Sequence, residues 1–69
     1  MKNITLIGSG NVATHLGIAL KSCNYNIVQV YSRNINNAKI LANKLDCNFT
    51  NNLTQLKNSD LIIVSVDDD

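Results

Sequence analysis

The chain has 69 residues, about half of the roughly 100–200 of one ordinary domain, so it holds one small core at most and excludes a complete two-domain enzyme. Apolar residues make up 45% and charged residues 16%, with no Pro, which is a globular composition and not a disordered or collagenous one. Six Lys and Arg against five Asp and no Glu leave a net charge of +1, too little to attract nucleic acid or an anionic membrane surface.

Asn3 to Ile7 is a short β-branched run stopped by Gly8, which predicts a first strand buried on both faces. Helical spacing follows. Val12, Ala13, Leu16, Ala19, Leu20 and Cys23 recur at intervals of one, three and four, predicting one apolar stripe on a helix from about Asn11 to Ser22, with Asn24-Tyr25-Asn26 as the closing turn. His15 and Ile18 fall on the outer side of that helix, where His15 reads as a surface or interface residue. A second strand is expected over Ile27 to Tyr31, and Ala38, Leu41, Ala42 and Leu45 mark the buried stripe of a second helix, capped by Asn34 or Asn36.

Asn48 to Thr50 predicts a weak third strand, and Leu53 to Lys57 a short helical turn with Leu53 and Leu56 facing inward. Leu61 to Val66 has the aliphatic density of a parallel strand covered on both sides, and Asp67-Asp68-Asp69 closes the sequence behind it. Strands alternating with helices require right-handed crossovers and a parallel sheet, so the expected fold is α/β, doubly wound, with four strands in the order 3-2-1-4. A strand so apolar should not stand at an open sheet edge, which predicts further protein beyond Asp69 holding the substrate site.

The Leu61 to Val66 run, interrupted by Ser65, is far below the roughly 20 residues of a transmembrane helix. Gly8-Ser9-Gly10 also cuts the apolar start short of a secretory signal, so a soluble cytoplasmic protein is expected. Cys23 and Cys47 form no CxxC and are joined by a single His in the whole chain, so both read as reduced thiols and no metal site is indicated. The twelve Asn read as a bias of source composition.

Gly8-Ser9-Gly10-Asn11-Val12-Ala13 fits G-x-G-x-x-G/A, and it follows a predicted strand and opens a predicted helix. Gly8 permits the tight turn, the bare backbone of Gly10 admits a pyrophosphate, and Ala13 and Gly17 let the helix lie close to the sheet. Phosphates would then meet the free N–H groups and positive end of the helix starting near Asn11. The plain alternative is that the glycines only turn the chain and the small residues only pack.

No Asp or Glu occurs before Asp46, although NAD-binding folds place one about 20 residues past the glycines for the ribose 2′-hydroxyl. Tyr31-Ser32-Arg33-Asn34 stands there instead, with the only Arg of the chain. A guanidinium clamps a 2′-phosphate bidentately, and Ser32 and Asn34 add donors, so NADP is favoured over NAD. The alternative is a solvated Arg33 with Ser32 and Asn34 merely capping the next helix. Asp67, Asp68 and Asp69 follow the carboxyl end of strand four, where open α/β sheets bind ligands, or else form a simple solvated strand end.

These residues, together with Ser59 to Asp68, resemble the amino-terminal half of the NADP-binding Rossmann domain of pyrroline-5-carboxylate reductases and 6-phosphogluconate dehydrogenase-like oxidoreductases. The similarity is nearest to the Rossmann-like family with an uncharacterised helical carboxy-terminal domain, and it extends over essentially the whole chain. It implies that Gly8, Ser9, Gly10, Asn11 and Val12 hold the pyrophosphate. Ser32, Arg33 and Asn34 would hold the 2′-phosphate, and Val66 would line the approach to the ribose and nicotinamide. Asp67-Asp68 stands where pyrroline-5-carboxylate reductases carry a Lys-Pro type turn, which counts against proline synthesis.

The implied function is hydride transfer between NADP(H) and a small-molecule substrate, this chain being the cofactor-binding part, inactive alone. A homodimer through a carboxy-terminal region is implied by the same resemblance. The competing reading is a non-enzymatic NAD(P)-binding module that regulates an attached domain.

Overall fold

The computed structural model describes residues 2–8, 10–56 and 58–65. Its elements are β1 (Asn3–Ile7), α1 (Asn11–Ser22), β2 (Asn26–Tyr31), α2 (Ile35–Leu45), β3 (Asn48–Thr50), a 3-10 turn (Leu53–Gln55) and β4 (Leu61–Val64). The strands form one parallel sheet in the order β3-β2-β1-β4, so the chain is a Rossmann-like α/β fold of four strands.

Residues alternate across a strand, and the alternation assigns the two faces of the sheet. Ile4 and Leu6 of β1 and Ile27 and Val30 of β2 point to the helices, where they meet Ala13 of α1 and Ala38, Leu41 and Leu45 of α2 in one core. Thr5, Gln29 and Thr50 point to the opposite face and are also buried. A bulge between Ile4 and Thr5 keeps both faces in phase, since β2 spends Val28 as an extra residue between Ile27 and Gln29.

Helix α1 lies close to α2 because Gly17 has no side chain; a Cβ there would come 2.7 Å from Leu45 Cδ1 and 3.3 Å from Leu6 Cδ2. Asn34 caps α2, its Oδ1 accepting from the N–H groups of Asn36 at 3.0 Å and Asn37 at 3.4 Å. Asp46 ends α2 in the left-handed region at φ 56°. Lys21 Nζ from the last turn of α1 donates to the Leu45 carbonyl at 2.6 Å, satisfying an orphan acceptor of the neighbouring helix.

Four expectations need correction. The buried stripe of α1 is Ala13 and Gly17, with Leu16 and Leu20 half-buried, while Val12, Ala19 and Cys23 are exposed. Asn26 belongs to β2 and not to the turn, because its N–H donates to the Lys2 carbonyl at 2.9 Å and its side chain to Asn3 Oδ1 at 2.9 Å. Leu53 is 56% exposed rather than inward, since the 3-10 turn is held to the sheet by polar contacts; Leu56 is half-buried, and Lys57 lies outside the described residues. Strand β4 ends at Val64, and among the described residues nothing covers it on both sides: Leu61, Ile62 and Val64 are 46%, 52% and 61% exposed.

Candidate functional site

Three parallel strands end side by side at Gly8. Its N–H donates to the Tyr31 carbonyl at 2.8 Å, and the Ser65 N–H donates to the Ile7 carbonyl at 2.8 Å, so the carboxyl ends of β1, β2 and β4 are tied together. Gly8 has φ +131°, and a Cβ on it would collide with the Ser65 carbonyl oxygen. Only glycine fits there.

Gly10 is the N-cap of α1 in extended conformation and has no side chain to cap the first turn, which also carries no acidic residue. The first intrahelical bond runs from the Thr14 N–H to the Gly10 carbonyl at 2.9 Å, and the Thr14 hydroxyl donates to the same oxygen at 2.9 Å. Among the described residues no side chain caps the opening N–H groups of α1, in contrast to those of α2. A helix start beside the glycines of this turn suits a phosphate group: the amides and the helix dipole supply the positive field, and the glycines the close approach. Asn11 and Val12 of this start are exposed and line a shallow groove with His15 and Leu16.

The second group of expected residues follows β2, next to Gly8 on the same sheet end. Ser32 is buried, donates its N–H to the Thr50 carbonyl at 3.1 Å, and accepts the Asn34 N–H on its Oγ at 3.3 Å. Arg33 and Asn34 are exposed. The Asn34 carboxamide has its oxygen committed to the α2 cap, an orientation that leaves its nitrogen as the outward donor. Arg33 thus stands between two residues fixed by hydrogen bonds. Ser9 and Val66 lie outside the described residues, as do Asp67, Asp68 and Asp69.

Thr50 and Gln55 escaped sequence reading. They support the Ser32 turn from behind, and the one local signal was Gln29, a polar residue in the middle of an otherwise apolar strand. The thiols sit elsewhere: Cys23 at the end of α1 is exposed, and Cys47 precedes β3 at the opposite end of the sheet. Burial pushes the Cys47 thiol up from 9.0 to about 11, against the opposing pull of Lys21 and with a further push from Asp46. Among the described residues no three His, Cys, Asp or Glu come together as a metal site, and no helix is long and apolar enough to cross a membrane.

A family model described as "NADP oxidoreductase coenzyme F420-dependent" matches residues 3–68, and the chain belongs to that family. The crystal structure of a Bacteroides fragilis protein described as a candidate NADP oxidoreductase is 43% identical, with a TM-score of 0.89. The match covers 96% of this chain and 26% of that one, so this chain spans about a quarter of the relative's length. None of the curated proteins matches.

Proposed function

We propose that this member of the NADP oxidoreductase coenzyme F420-dependent family binds NADP(H) across the carboxyl ends of β1 and β2 and forms the amino-terminal part of a dinucleotide-binding domain. The observation that carries the reading is the juxtaposition of the Gly8 turn and an α1 start that no described side chain caps with the Ser32-Arg33-Asn34 turn on the same sheet end. Gly8, Ser9, Gly10, Asn11 and Val12 would hold the pyrophosphate, and Ser32, Arg33 and Asn34 the 2′-phosphate. Val66 is assigned to the ribose and nicotinamide by the resemblance alone.

NADP is favoured over NAD on the chemistry of the second turn. A carboxylate at this position would accept from a ribose 2′-hydroxyl and repel a 2′-phosphate. This chain has Arg33 and the outward Asn34 amide there, both donors, and neither can accept from the hydroxyl in that way.

The reaction of the whole protein is hydride transfer with a small-molecule substrate. Bound NADP(H) supplies or takes the hydride at its nicotinamide ring. The residues of this chain bind and orient: the helix start fixes the pyrophosphate, and the Ser32 turn fixes the 2′-phosphate. Substrate groups belong to the remaining length of the protein, in keeping with the quarter of the Bacteroides fragilis relative that this chain spans. Incubating the full-length protein with NADPH and a panel of imines and carbonyl compounds tests this reading. Substrate-dependent loss of the reduced-nicotinamide absorbance is expected; NADP binding with no oxidation by any member of the panel would support a regulatory module instead.

A further inference from the structure

The face of the sheet turned away from the helices carries two buried polar side chains, Gln29 at 4% and Thr50 at 5% exposure. Burying such groups costs free energy unless they are bonded, and Leu and Val would fill the same space without that cost. Both are joined to one residue of the 3-10 turn. Gln29 Nε2 donates to the Gln55 carbonyl at 3.1 Å, and the Thr50 hydroxyl donates to Gln55 Oε1 at 3.1 Å, with the Asn52 carbonyl as a longer alternative acceptor at 3.4 Å. The Thr50 oxygen in turn accepts the Asn52 N–H at 3.1 Å.

This path leads to the second turn of the site, because the Thr50 carbonyl accepts the Ser32 N–H. Strand β3 has three residues and stands at the sheet edge, bonded to β2 on one side only, so the side-chain bonds of Thr50 help to place its last residue. Ser32 passes the constraint forward by accepting the Asn34 N–H, and Asn34 caps α2. Arg33 lies between them.

We propose that Gln55, acting through Thr50, is a positioning residue for the Ser32-Arg33-Asn34 turn and thereby sets the preference for NADP over NAD. The inference rests on reading that turn as the 2′-phosphate clamp. Gln55 acts at one remove: it holds the hydroxyl of the residue whose carbonyl holds Ser32. NAD has no 2′-phosphate, so its affinity is indifferent to the exact placement of Arg33. NADP affinity is not.

Calorimetric binding of NADP and of NAD to the full-length protein, with amide hydrogen exchange at Ser32, tests the proposal in Gln55→Ala, Gln55→Glu, Thr50→Val and Thr5→Val. Losing one such hydrogen bond should weaken NADP binding about five- to tenfold in Gln55→Ala and Thr50→Val. NAD affinity should stay within about twofold, and the Ser32 amide should exchange faster, since that bond is loosened before any ligand binds. Gln55→Glu retains an acceptor for the Thr50 hydroxyl and should restore NADP affinity. Thr5 is the control: it is fully buried on the same face, in register with Gln29, and its hydroxyl has no partner among the described residues, so Thr5→Val should change neither affinity. Parallel weakening of NADP and NAD, or unaltered Ser32 exchange, would overturn the positioning role. A wild-type protein that binds both nucleotides equally would remove the clamp itself, and the proposal with it.

Discussion

Gly8 is the residue on which the turn after β1 depends. Its left-handed backbone and the Ser65 carbonyl both oppose a side chain, so Gly8→Ala should lower stability by about 1–3 kcal/mol in urea denaturation and abolish dinucleotide binding. Gly17→Ala makes a different contact, with the far end of the flexible Leu45 side chain, and should cost about 1–2 kcal/mol while leaving binding intact. Cys47 gives a pH dependence of known sign. Its folded thiol titrates near 11 and its unfolded thiol near 9, so the folded state holds the proton longer and this contribution to stability is complete below pH 9 and fades toward pH 11. Denaturation midpoints from pH 8 to 11 should fall less steeply in Cys47→Ala than in the native chain. Gly8 and Arg33 could be singled out from sequence because each breaks a local pattern, a strand that stops and an expected acid that is missing. Thr50 and Gln55 could not, since their pairing depends on where the β3–β4 connection lies across the sheet.

Among elements, α2 is anchored at both ends by side chains. Asn34→Ala removes the cap and should cost about 1 kcal/mol in thermal or urea unfolding, with an added loss of NADP affinity from the outward amide. β1, α1 and β3 have the bounds their sequence predicts, because apolar runs and helical spacing there coincide with glycine or asparagine boundaries. The stripe of α1 was read one step too wide: Val12, Ala19 and Cys23 fit the period, but close packing centres on the small residues Ala13 and Gly17. Leu53 misled for a related reason. A turn fastened through Gln29, Thr50 and Gln55 has no need to bury its leucine.

For the molecule as a whole, the sheet order 3-2-1-4 followed from alternating strands and helices and the right-handed crossover rule. What the pattern also promised, a fourth strand covered on both sides, is not met by the described residues, which leave Leu61, Ile62 and Val64 exposed. An uncharged apolar edge of this kind pairs with other edges, so the 69-residue chain alone should associate with rising concentration in sedimentation velocity, and Ile62→Lys should suppress it. The central claim concerns the opposite property, selective recognition of one small ligand at the carboxyl end of the sheet. Calorimetric titration of the full-length protein and its Arg33→Ala variant with NADP and NAD tests it most directly. The account predicts that NADP binds more tightly than NAD and that the variant loses this difference while keeping its NAD affinity; equal binding of the two nucleotides, or an NADP preference that survives the loss of Arg33, would contradict it.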